Sequence, residues 1–148
     1  MKTAAFCGHS QLGGEYKTIS AEVERIVSGL IANEGCDSFL VGNYGQFDRL
    51  AASVCLYLKK TNPEITVCLT VPYYRPQLES CEKAYRARFD EVIVPALEAT
   101  PYPYRILRAN EYMVDRADVV IAYVHSSVGG AAKTLHYAKR KGKTIICV

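Results

Sequence analysis

Two kinds of apolar pattern alternate along the chain. Short continuous apolar runs read as buried strands. Longer stretches, with apolar positions three or four residues apart, read as amphipathic helices. Residues 3–7 form the first run, closed by Gly8. Residues 18–34 carry Ile19, Val23, Ile26, Val27, Leu30 and Ile31 at helical spacing, with Glu22 and Glu24 expected in the first turn and Gly35 as the stop. The alternation then repeats. Strands are expected over 38–41, 65–71, 91–94, 119–124 and 144–148, and helices over 47–60, 78–89, 104–116 and 130–141. Pro63, Pro72, Pro95 and Gly142 punctuate the pattern. Tyr73-Tyr74-Arg75-Pro76 and Pro101-Tyr102-Pro103-Tyr104 read as loops with an aromatic rim.

Strands that alternate with helices need crossover connections. Strands apolar on both sides need both faces covered. The expected fold is therefore a Rossmann-like three-layer α/β/α sandwich with a mainly parallel central sheet of about six strands. A length of 148 residues fits one domain, residues 1–148. No internal repeat or linker interrupts it.

Composition narrows the function classes. A hydrophobic fraction of 49% and a charged fraction of 22% are ordinary for a globular domain. The net charge of +3 is mild, and the densest basic run, Lys139-Arg140-Lys141 with Lys143, reads as a solvated helix end. Cysteines at 7, 36, 55, 68, 81 and 147 show no C-x-x-C spacing, and most lie in apolar runs. They read as buried free thiols in a reducing compartment. With no signal-peptide pattern after Met1 and no apolar run near membrane-spanning length, the expected location is cytoplasmic. No metal-ligand cluster and no cofactor motif is present: both G-x-G-x-x-G and G-x-x-x-x-G-K-[ST] are absent.

In an open parallel sheet, ligands bind beyond the carboxyl ends of the strands. Three of those ends carry glycine: Cys7-Gly8-His9-Ser10, Gly42-Asn43-Tyr44-Gly45 leading into Phe47-Asp48, and His125-Ser126-Ser127-Val128-Gly129-Gly130. Glycine lets backbone N–H groups approach an anion, and a helix N-terminus adds a favourable dipole. Each turn alone is equally a requirement of backbone geometry. Three on one edge point to a phosphate-bearing small molecule, with hydroxyls from Ser126 and Ser127 as added donors. Asp48, in a first helical turn, is either a carboxylate complementing the dipole or an acceptor for a ribose hydroxyl. His9 and His125 are either hydrogen-bonded surface residues or anion and proton-transfer groups. Asn110 shares a stripe with Ile106, Met113 and Ala117, and either caps a loop or touches ligand. Asp118 reads as a turn residue, and His136 as lining a flank of the last helix.

These motifs, in this order, resemble the SLOG superfamily (the SMF/DprA–LOG group), and especially its small YpsA-like branch. The carrying residues are Phe6-Cys7-Gly8-His9, Gly42-x-x-Gly45-x-Phe47-Asp48-x-x-Ala51, Arg108-x-Asn110-x-x-Met113-Val114-Asp115-x-x-Asp118 and Gly129-Gly130-Ala131. The resemblance covers essentially the whole chain. It implies binding of nucleotides or nucleotide-derived molecules, in a sensing or sequestering role. Ser10 stands where the first motif has arginine, with Arg75 a conceivable substitute, and Ala131 replaces a threonine at the phosphate loop. His136 replaces the glutamate of the nucleotide-hydrolysing LOG members. Glycosidic hydrolysis relies on a carboxylate, so catalysis stays open, with His9, Asp48 and His125 as acid–base candidates. A hydrolase acting on a nucleotide or ribosyl phosphate is the first alternative. Single-stranded DNA binding by analogy with DprA is the second, with little basic charge behind it. Apolar helix faces such as Leu56-Tyr57 would allow a homodimer.

Overall fold

The computed structural model describes residues 2–72, 82–95, 97 and 99–148. Its six strands are β1 (Lys2–Gly8), β2 (Cys36–Val41), β3 (Thr66–Thr70), β4 (Glu91–Ile93), β5 (Val119–Tyr123) and β6 (Thr144–Cys147). The described helices are α1 (Tyr16–Glu34), α2 (Gln46–Lys59), α3 (Glu82–Arg88), α4 (Arg105–Arg116) and α5 (Gly130–Arg140), with a 3₁₀ turn at Tyr102–Tyr104. The sheet runs β4-β3-β2-β1-β5-β6, and every pairing is parallel.

Winding direction explains the layers. The chain adds β2, β3 and β4 on one side of β1, then returns and adds β5 and β6 on the other. Right-handed crossovers in opposite directions put their helices on opposite faces. Accordingly Ala4 and Phe6 of β1 pack with α1 and α2, through Val23, Val27, Phe47 and Leu50. The alternate residues, Ala5 and Cys7, pack with Met113 and Val114 of α4 and Ala138 of α5. The expected Rossmann-like α/β architecture is what the chain adopts. Its switch point lies between β1 and β5, where a crevice opens at the carboxyl ends.

Local differences from the sequence pattern have physical causes. Helix α1 starts at Tyr16, two residues early, because the Ile19 N–H reaches the Glu15 carbonyl at 3.1 Å with no side-chain cap to mark the boundary. Glu22 and Glu24 therefore miss the first turn, and Glu22 instead pairs with Arg25 at 2.7 Å. Gly35 ends α1 in the left-handed conformation, φ 66°. The aromatic segment before α4 is a turn of 3₁₀ helix rather than open loop, entered from Pro101. Of the described cysteines, Cys7, Cys36, Cys55 and Cys68 are buried, whereas Cys147 is exposed on the edge strand β6. Cys81, Tyr73-Tyr74-Arg75-Pro76 and the start of the expected 78–89 helix lie outside the described residues.

One contact seats α2 on the sheet. A Cβ at Gly8 would stand 2.3 Å from Phe47 Cδ2, and Phe47 is fully buried. Burying such a ring contributes ~1.5–3 kcal/mol. Gly8→Ala should therefore destabilise the domain by about 1–3 kcal/mol through overpacking. Urea denaturation of Gly8→Ala, Phe47→Ala and the double variant measures this. The ring removed in Phe47→Ala is the group the new methyl would meet, so the double variant should lose less than the sum of the two single losses.

Candidate functional site

At the switch point lies a cleft of about 320 Å³, and its lining comes from four places in the chain. Strand β1 and the loop after it give Cys7, Gly8, His9, Ser10 and Gln11. The turn into α2 gives Tyr44 and Asp48, helix α4 gives Ile106 and Asn110, and the start of α5 gives Gly129, Gly130, Ala131 and Thr134.

The two helix N-termini at this edge differ. Neither has a side-chain cap, but at α2 the Gln46 N–H donates to the Ser10 carbonyl at 2.8 Å. The Gln46 side chain in turn accepts the Leu12 N–H at 2.7 Å, and Gly13 donates to the Tyr123 hydroxyl at 3.0 Å. Gly45, at φ 105°, lies so close to Ser10 that a Cβ would meet the Ser10 Cα at 2.6 Å. At α5 no side chain caps the N-terminus, and Gly129 holds φ 98°. Nothing stands within 4 Å of a Cβ built on Gly129 or Gly130. The first N–H groups of a helix have no partner inside it, so at α5 they are available to the cleft.

Asp48 stands in the first turn of α2, only 7% exposed. Its Oδ2 accepts the Tyr44 N–H at 3.0 Å, and Oδ1 takes no hydrogen bond from the described residues. Behind it, a Cβ at Gly42 would approach Oδ2 to 2.7 Å. Burial pushes the carboxyl up to about 7, against smaller downward effects from the Tyr44 N–H and Arg49. Burial, with Asp48 adding to it, pushes the Cys7 thiol up to about 12. Cys7 is thus a neutral thiol, placed to donate weakly to the Ala131 carbonyl at 3.7 Å.

The histidines form a bracket. His9 donates its backbone N–H to the Tyr123 carbonyl at 3.3 Å. Its Nε2 accepts the His125 N–H at 2.8 Å, which makes Nδ1 the protonated nitrogen in this arrangement. Tyr123 stacks on Phe47 at 5.5 Å and meets the rings of His9 and His125 edge-on.

Of the residues singled out by sequence, Gly8, His9, Ser10, Asp48, Asn110, Gly129, Gly130 and Ala131 line the cleft together. Gly42 and Gly45 stand behind its wall, and His125, Ser126 and Ser127 are exposed outside the lining. Ser126 Oγ accepts the Val128 N–H at 3.2 Å, a local turn bond. His136 is exposed on α5 and does not line the cleft. Asp118 lies at the opposite edge of the sheet, where it accepts the Thr3 N–H at 2.9 Å. Cys7, Gln11, Tyr44, Ile106 and Thr134 are additional lining residues. Two carried a usable signal: Ile106 is one helical turn from Asn110, and Thr134 one turn from Gly130.

This geometry is that of a small Rossmann-like domain with a polar cleft at its switch point. No protein-family model matches the chain. It is 26% identical over 141 residues to the UPF0398 protein BH1768 of Halalkalibacterium halodurans, covering 90% of this chain and 72% of that one. In fold it resembles DNA processing protein A from Helicobacter pylori, a structure described for its single-stranded DNA binding mode, with a TM-score of 0.68 and 16% identity. It also resembles DprA from Streptococcus pneumoniae, with a TM-score of 0.69 and 14% identity. Both matches cover 99% of this chain but only 64% and 50% of those longer chains. The resemblance to the SLOG superfamily carried by the motifs agrees with these likenesses. No helix among the described residues is long and apolar enough to cross a membrane.

Two outcomes follow from the buried groups. The folded-state pKa of Asp48 is raised above its unfolded value, so the folded state holds a proton that the unfolded state has lost. Stability from this group is present at pH 4 and is lost as pH rises towards 7. Asp48→Asn, which keeps an acceptor for Tyr44, should raise the melting temperature by several degrees at pH 8 and by much less at pH 4. Thermal denaturation across that range checks it. Among the described cysteines, alkylation of the native protein should label Cys147 first and spare Cys7, Cys36 and Cys55, as read by peptide mass mapping.

Proposed function

We propose that the domain binds a nucleotide or nucleotide-derived phosphate in the switch-point cleft, in a sensing or sequestering role. The observation that carries this reading is the open N-terminus of α5. Its first N–H groups, uncapped by any side chain, lie at a cleft whose described lining residues include no lysine or arginine, so among the described residues the backbone dipoles would hold the phosphate. With the Gln46 N–H of α2 taken by Ser10 and Gly45 crowded against it, α5 would be the anion end. Gly8, His9, Ser10 and Asn110 would surround the rest of the ligand. Gly42 and Gly45 shape the wall, and His125, Ser126 and Ser127 would act from the rim.

A second reading has its own support. Tyr44 on the cleft rim and Tyr16 beside it are 56% and 51% exposed, and Tyr16 shares an adjoining groove with Arg49. Exposed aromatics with a nearby cation suit stacked bases of a single strand, and one fold neighbour is described as binding single-stranded DNA. With net charge of only +3, the small-molecule reading is preferred. Hydrolysis of a nucleotide or ribosyl phosphate is the catalytic variant of the first reading. The carboxylate for it would be Asp48, since His136 is outside the cleft.

A thermal-shift screen against nucleoside monophosphates, ADP-ribose, NAD and ribose phosphates tests the reading. A native-state ligand at a hundredfold excess over its Kd adds about 2.7 kcal/mol, a shift of several degrees. Gly130→Val, whose Cβ would meet nothing within 4 Å, should abolish the shift while the fold is retained, as circular dichroism of the variant checks. No shift with any of these, together with anisotropy showing binding of a labelled oligodeoxynucleotide, would replace the reading with the second one.

A further inference from the structure

We infer that Asp48 makes this cleft a reader of vicinal hydroxyls, so that its ligand is a ribonucleotide or ribosyl phosphate with the diol free, rather than a deoxyribonucleotide or a DNA strand. This rests on the phosphate reading above and names the substrate class for the same site.

Among the described residues lining the cleft, Asp48 is the only acidic one, and it is only 7% exposed. One oxygen is fixed by the Tyr44 N–H at 3.0 Å, and the other has no donor among the described residues. The near contact at Gly42 backs the carboxyl and leaves the cleft as its open side. The second oxygen is not among the buried atoms closed off without a partner, so it is open to the cleft, and hydroxyl groups of a bound sugar supply donors in the geometry a carboxylate accepts.

The surroundings exclude the other candidates for that position. From β1 and its loop, Cys7 and His9 face the cleft. Cys7 is a neutral thiol, and the His9 Nε2 is engaged by His125. Helix α4 contributes Asn110 and Ile106, and helix α5 contributes Thr134, none of them charged. On its own helix, Arg49 is exposed and lines the adjoining groove instead. Among the described residues the cleft lining holds no cation, and Arg49, which acts on Asp48 only as a smaller effect, lies in the adjoining groove, so little there would screen a phosphodiester placed against Asp48. The carboxyl titrates near 7, so its acceptor strength at both oxygens rises through that pH. Charge-assisted hydrogen bonds are roughly twice as strong as neutral ones. A site built to bond a hydroxyl strongly rejects the analogue that lacks it.

Calorimetric titration of the full chain with ribose 5-phosphate and 2-deoxyribose 5-phosphate, and with AMP and dAMP, tests this. At pH 8 each ribo compound should bind at least tenfold more tightly than its deoxy partner, and the ratio should shrink at pH 6. Asp48→Asn should bring the ratio to about threefold or less and remove its pH dependence, while Gly130→Val should weaken both members of each pair. Equal affinity of the ribo and deoxy members for the unaltered protein would overturn the diol assignment and leave the phosphate reading standing. No binding of any of the four would overturn both.

Discussion

The contact between Gly8 and Phe47 governs how the cleft is built. Strand β1 ends on a residue with no side chain, and the ring of Phe47 fills the place where one would be. The same ring stacks on Tyr123 at the end of β5 and lies 6.4 Å from Phe6. Tyr123 then holds the loop after β1 through its hydroxyl at Gly13. One aromatic residue thus ties together the ends of β1 and β5 and the start of α2. Asp48 is its neighbour in sequence, so the packing that seats Phe47 also fixes the carboxyl at the cleft.

Seen from that contact, the glycine-rich turns do two different jobs. Gly8, Gly42 and Gly45 make room for protein atoms: a ring, a carboxylate and a backbone. Gly129 and Gly130 have no protein atom to make room for. Their absent side chains leave open the approach to unpaired N–H groups at the head of α5. The anion site proposed above would therefore sit at one turn of the three, with the other two as its wall. Sites whose partners are locked by packing lose less on binding than sites that must order themselves.

The alternating apolar runs and helical stripes made the architecture legible in advance, because burial on both sheet faces imposes them. The edge of the sheet that would carry the site followed from the fold itself. Less legible were matters of three-dimensional approach. The exposed places of His125 and His136 depend on loop direction and on which side of α5 turns outward. The start of α1 lacked any capping side chain to announce it. Thr134 and Ile106 could have been found by stepping one helical turn from Gly130 and Asn110. Cys7 was visible as part of a motif, but its place on the cleft side follows from the alternation that buries Ala4 and Phe6 on the other face. Gln11 and Tyr44 lie in loops, where no period applies.

A carboxyl at position 48 needs a reason that packing does not supply. Its one internal bond, to the Tyr44 N–H, is within the reach of asparagine, which has the same shape and no charge to desolvate. Its second oxygen is bonded to none of the described residues, and burial raises its pKa to about 7, so ionising it costs the fold stability near neutral pH. The opposing helix terminus is left equally incomplete, with N–H groups that no side chain caps. An unfilled acceptor on one wall and unfilled donors on the other are complementary to a molecule that carries hydroxyls at one end and a phosphate at the other. The occupant proposed above would meet both walls at once, which is what makes a perturbed buried carboxyl at the cleft a candidate for function rather than packing.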